Sequence, residues 1–385
     1  MGYARGGHLK YLSALHQLRP LIKTFPLLRA AASGGHLNVL MWLKDNVCWP
    51  THQELLIIGS NIMTKVAFSA GKHGHLAIVK FLSEQAWNIR DAVCGAAYGG
   101  HLELLQTLLS FKISASYTTY FAAKGGHLEL LKWLKAQEYE FDEETCNGAA
   151  EGGHLDIIEW LLQNGATLST DISNYAARSG KLEVIKYFQE KGFNLPSVLS
   201  VAIKGGNLQS IKYLHDQGCE WDVFSLPLAA ELGYFEIVKF ALDRKCSVSA
   251  KCVASAAKWG HYDIVKYLIR NKRFDASEEA AESGELDILQ LLYENGCEIS
   301  DLAWRWAAKN GDMEMLKWLH KIGCKHRSES IQTAIVDAIN YKHLDVLKYL
   351  YKCGIPFDEK VCWYVSRGVH EESEIWKWFK SQSLL

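Results

Sequence analysis

Proline is scarce, six in 385 residues. Proline breaks helices by removing an N–H and clashing with the preceding turn, so the chain is free to form many uninterrupted helices. An excess of either charge is also missing. Lys and Arg number 42 against 43 Asp and Glu, for a formal charge of −1. As a bulk property this excludes a polyanion-binding protein of the usual basic kind. No apolar run approaches the ~18 residues needed to span a bilayer. The start, Met-Gly-Tyr-Ala-Arg-Gly, lacks the order of a secretory signal, and Gly6 stands where a myristoylation signal wants Ser or Thr. An intracellular, cytoplasmic protein with no membrane contact is expected. Ten cysteines are too few for a disulfide scaffold, and none forms Cys-x-x-Cys or takes a zinc-like spacing from His. Free thiols in a reducing compartment are expected.

What is present is a repeat. Length alone, at ~150 residues per domain, would suggest two or three globular domains. A Gly-rich turn followed by a Leu-rich run recurs instead, and the residue just before each run serves as an anchor. The anchors are His8, His36, His75, His101, His127, His154, Lys181, Asn207, Tyr234, His261, Glu285, Asp312 and His343. Most steps between them are 26 or 27 residues, the signature of a one-dimensional array. Each unit reads as two helices. In Asp142–Gly165, Asp142 suits an N-cap and Gly152-Gly153 stop the first helix. Leu155, Ile158, Leu161 and Leu162 give the second helix one apolar face. An Ala-Ala pair recurs nine times, four and five residues before the anchor, as in Ala149-Ala150; such small side chains allow close approach. A lone unit of this size orders at a cost of ~40 kcal/mol, at ~1.5 kcal/mol per residue, with too little buried area to offset it. Stacking is therefore obligatory.

The array is not perfect. The step from His36 to His75 is 39 residues, with an insertion near residues 49–63. The step to His343 carries an insert near Lys325–Ser330, and the step to Glu285 a deletion at Asn271–Asp275. Residues 1–22 read as a partial first repeat, residues 23–385 as the array, and residues 358–380 as a degenerate last repeat.

Catalysis and cofactors find little support. Eight anchors are His, but stacked anchors should lie ~10 Å apart, against ligand bonds of ~2.0–2.1 Å for zinc. No metal is expected; the anchor reads as a turn residue that bonds backbone groups and caps the second helix. The same spacing excludes disulfides along Cys219, Cys297 and Cys324. An aromatic position six after the anchor (Trp133, Trp160, Tyr213 and others) is expected to pack between second helices. No phosphate-binding loop or nucleophile elbow occurs, so neither an enzyme nor a cofactor is expected.

The string Ala-Ala-x-Gly-Gly-His-Leu-Glu-Leu at Ala122–Leu130, and endings such as Asn295–Cys297, resemble the middle and end of an ankyrin repeat. The resemblance covers nearly the whole chain. The period is about six residues shorter than usual, and the Thr-Pro-Leu-His opening is absent, with Leu226-Pro227-Leu228 a faint echo. The missing residues correspond to the projecting β-hairpin, so no fingers are expected. This short form is similar to arrays abundant in large DNA viruses of protists, oomycetes and amoebae. The resemblance implies an all-α solenoid of stacked helix-turn-helix repeats, elongated and curved, with the end of each first helix on the concave side. Positions three, seven and ten before the anchor share one helix face. The third varies in charge and size from repeat to repeat. Candidate partner contacts are Lys72, Tyr98, Lys124, Glu151, Arg178, Lys204, Glu231, Lys258, Glu282 and Lys309, with Tyr120, Trp259 and Arg305 beside them. A protein–protein interaction scaffold or adaptor is expected, monomeric or within a hetero-complex, its partner unidentified. A structural component stacking end-on with other chains, or a nucleic-acid-binding solenoid, are the alternatives; nucleic acid is disfavoured by the charge balance.

Overall fold

The computed structural model describes residues 2–18, 25–47, 59–85, 87, 89–110, 117–197, 199–270 and 274–385. Among the described residues there are 28 α-helices and no strand, and the fold is an α solenoid. Its contacts divide into two compact units, Met1–Ser197 with Gln209–Cys219, and Val198–Leu208 with Glu220–Leu385. In the first unit the first helices of the repeats stack on one another: Gly2–Arg5, Phe25–Gly34, Gly59–Lys72, Arg90–Gly99, Thr118–Gly125, Glu143–Gly152 and Ile172–Ser179. In the second the stack is Ser200–Ile203, Ser225–Glu231, Ala250–Lys258, Ser277–Ser283, Leu302–Asn310, Ser328–Asn340 and Glu359–Gly368. A second helix follows each, such as Leu128–Ala136 or Leu155–Gln163.

The recurring Ala pairs lie where first helices touch, and all nine pairs are fully buried. Asp142 caps its helix as expected, its Oδ1 accepting from Thr145 N at 3.0 Å. The buried face of Leu155–Gln163 is Ile157, Ile158 and Leu161. Leu155 and Leu162 sit half-buried on its flanks, because Leu155 opens the helix at the turn and Leu162 falls on the shoulder.

The insert near Lys325–Ser330 extends the first helix that follows it: residues 325–327 lead in and Ser328–Ser330 form its first turn. Ser328–Asn340 has 13 residues where the other first helices of the second unit have ten or fewer. Its start grips the preceding repeat. Arg327 donates to both carboxylate oxygens of Asp301, at 2.8 and 3.2 Å, and Ser330 Oγ donates at 2.6 Å. These bonds hold the Asp301 carboxyl far below the usual carboxylate range. The Leu55–Ile58 run of the 49–63 insertion lies outside the described residues, as do residues 19–22 and 271–273.

Candidate interaction surface

Repeats with a His anchor are joined to the one before at the glycine-anchor turn. At His101 the amide donates to Ala96 O and that of Gly100 to Ala97 O, the paired bonds that close a helix around a left-handed glycine. Gly126, at φ +83°, does the same one repeat later. The anchor imidazole then crosses to the preceding repeat. Nε2 donates to a main-chain carbonyl there, in the first unit from His75 to Ser33 (3.2 Å), His101 to Lys72 (2.9 Å) and His127 to Tyr98 (3.0 Å). In the second unit His261 donates to Glu231 (2.9 Å) and His343 to Lys309 (3.0 Å). The glycine two before the anchor closes on the same carbonyl: a Cβ on Gly125 would lie 2.4 Å from Tyr98 O.

The expected capping role of the anchor histidines is thereby corrected. His75, His127, His154, His261 and His343 make no side-chain cap bond. Each of these imidazoles is turned toward the neighbouring repeat. Asp312, short and anionic, does cap, accepting from Glu314 N and Met315 N at 3.1 and 3.0 Å. No group of His, Cys, Asp and Glu suited to a metal ion occurs among the described residues.

Within each unit these joints bring the third residue before one anchor beside its counterpart in the next repeat. In the first unit Lys72 Nζ sits 4.6 Å from the Tyr98 ring centroid. Lys124 Nζ meets Glu151 Oε2 at 2.8 Å, and the Tyr120 hydroxyl donates to the same oxygen. Burial alone would raise the Glu151 carboxyl, but the Lys124 and Tyr120 bonds, with the charges of Lys124 and Arg178, hold it below its ordinary value. Burial and Glu151 together push the Tyr120 hydroxyl well above the phenolic range. Arg178 lies over its own Tyr175, 5.2 Å from the centroid.

In the second unit Lys204, Glu231, Lys258 and Trp259 are exposed. Lys258 pairs with Glu282 at 3.2 Å, a solvated contact worth ~0.2–1 kcal/mol. Arg305 Nε donates to Asp337 at 2.7 Å. Lys309 stands over both Trp306 (4.5 Å) and Tyr341 (5.6 Å). Several of the candidate residues, Lys72 with Tyr98, Lys124 with Glu151 and Lys258 with Glu282, thus meet as repeat-to-repeat pairs. Sequence reasoning missed Asp337, Trp306 and the exposed Leu232 and Phe224. Leu232 had a legible signal, since it replaces a turn glycine.

Profiles of the family described as ankyrin repeats (3 copies) match residues 119–198, 199–278, 226–302 and 277–361, and one described as ankyrin repeats (many copies) matches 93–134. More than half of the chain is covered. The chain belongs to the ankyrin repeat family. Ankyrin repeats generally mediate protein–protein interactions, and the family is generally non-catalytic. No curated protein matches the sequence. Among solved structures it is similar to the crystal structure of the human ASB11 ankyrin repeat domain, at 18% identity and TM-score 0.26, over 46% of this chain and 83% of that one.

The second helices of these ankyrin repeats also interlock. A residue on one second helix packs on the aromatic side chain of the next: Lys135 with Trp160 (6.0 Å) and Lys186 with Tyr213 (5.3 Å) in the first unit, Tyr293 with Trp318 (5.8 Å) in the second. Trp160, Tyr213 and Trp318 are half-buried, as packing between second helices requires. The thiols of the Gly-Cys endings are occupied as well: Cys219 donates to Pro196 O at 2.8 Å and Cys297 to Phe274 O at 3.2 Å. No described helix is long and apolar enough to cross a membrane.

Proposed function

We propose that this ankyrin array is a non-catalytic scaffold or adaptor that holds a protein partner on its concave face, along the row that precedes the anchors. One observation carries the reading. The turn is fixed by main-chain bonds, while the side chain beside it changes from Lys to Tyr, Glu and Arg along the row and stays at the surface. A rigid, preformed surface loses little entropy on binding, and mixed charge dotted with aromatics suits protein recognition. The nine described cysteines are all free thiols, which supports a cytoplasmic setting. Affinity capture from the native cell tests the reading, with wild type compared to a variant carrying Lys124→Glu, Arg178→Glu, Lys204→Glu and Lys258→Glu. A second variant, Lys204→Glu with Lys258→Glu, leaves the Glu151 cluster intact and controls for folding. The captured set should change in both; an unaltered set refutes the assignment of this face.

A further inference from the structure

On four consecutive repeats of the second unit the row alternates in sign: Lys204, Glu231, Lys258, Glu282. Lys258 and Glu282 neutralise each other at 3.2 Å. Lys204 and Glu231 are exposed, and neither enters an ion pair among the described residues. Beside them, the glycine usual two before the anchor is replaced twice in succession, by Leu232 and Trp259, which are 39% and 60% exposed. The turn has no use for an indole, because the repeat with Gly152 at that position closes with the same pair of main-chain bonds as the one with Trp259.

A ligand for this face must place opposite charges one repeat apart, ~8–10 Å for stacked helices, and offer an apolar surface to Trp259. A polyproline II segment has three residues per turn and a rise of ~3.1 Å, so residues i and i+3 share one side about 9 Å apart. In a β-strand, residues three apart point to opposite faces. An α-helix meets the step only at every seventh residue, about 10.5 Å. Proline rings also stack on exposed aromatic side chains. We infer that the Lys204–Glu231–Trp259 face binds a proline-rich polyproline II segment with an acidic residue over Lys204, a basic residue three positions away over Glu231, and prolines against Trp259. The inference rests on the reading above that this face of the array binds protein.

Isothermal titration of the full chain with defined peptides tests it. The first probe is Pro-Pro-Glu-Pro-Pro-Arg-Pro-Pro-Pro. The others place the charges two apart, replace both by Gln, replace the prolines by Gly and Ser, or form a helix with charges seven apart. The first should bind at least ten-fold more tightly than every other. Trp259→Ala and Lys204→Ala should each weaken it ten-fold or more with an unchanged circular dichroism spectrum. Equal binding of the two-apart, Gly-Ser or helical peptide, indifference to Trp259→Ala, or no binding at all would overturn the inference. So would a chain dimer in sedimentation that Trp259→Ala dissociates, because a second copy would then occupy the face. If the peptides fail while charge reversal still alters the captured proteins, this inference falls and the broader reading stands.

Discussion

Placing a methyl group on Gly126 should cost far more than placing one on Gly165, although the backbone is left-handed at both. The φ angles are +83° and +89°, so each alanine pays the left-handed penalty of ~1–2 kcal/mol. Part is recovered, ~0.4–1 kcal/mol, from a stiffer unfolded chain. Gly165→Ala meets nothing within 4 Å and should lose about 1 kcal/mol. At Gly126 the new Cβ would lie 2.5 Å from Cε1 of His154 in the next repeat. Overpacking of that kind adds ~1–3 kcal/mol, so Gly126→Ala should lose about 2–4 kcal/mol. Repeat arrays need not unfold in one step. Urea titration by circular dichroism should therefore be paired with hydrogen exchange on Leu155–Gln163, where the extra loosening should appear. Equal losses for the two variants would refute the claim that the anchor ring seats on the preceding turn.

Three further outcomes follow from the joints. His127→Ala strands the Tyr98 carbonyl, now bonded at 3.0 Å, and should destabilise by ~1–3 kcal/mol; a change below 0.5 kcal/mol in urea unfolding, on the scale of ordinary surface substitutions, contradicts it. His75 is lowered from its ordinary 6.5 mainly by burial, opposed by its bond to Ser33 and reinforced by His73, His101 and His36. The folded state then favours neutral His75, so its contribution is present above the unfolded value and is lost as pH falls through the folded one. The urea midpoint should drop less between pH 7 and pH 5 in His75→Gln than in wild type, and equal drops would exclude this role. Tyr120→Phe removes one donor from Glu151, and carbon-detected NMR titration should show that carboxyl rising toward its ordinary value; no movement would place the control elsewhere.

The period and the helix pairs were legible because they follow from local rules: a left-handed glycine ends a helix, and apolar residues recur on its face. The Ala pairs announced close packing, and they are the most buried positions of the stack. Only half of what the anchor histidine does was legible: a bond to backbone was expected, but not one to another repeat in place of a helix cap. A residue between Gly and Leu looks like a helix cap, and only three dimensions show its Nε2 reaching a carbonyl about 30 residues earlier. The conformation of the Lys325–Ser330 insert was not legible, since a length change says nothing about conformation, and its contacts lie with Asp301 of the preceding repeat. The pairing of the surface row was hidden likewise. Lys124 and Glu151 are 27 residues apart, and a charge that varies from unit to unit reads as solvated until the stack brings neighbours together.

The carbonyl that receives each imidazole belongs to the main chain, so every amino acid supplies it. A latch of this type asks nothing of the sequence it closes upon. Gene duplication or loss of a whole unit would leave each surviving latch facing a usable acceptor, whichever unit came to lie before it. A chain assembled this way can change its number of repeats, and exchange the surface residues beside its turns, without redesigning these latches.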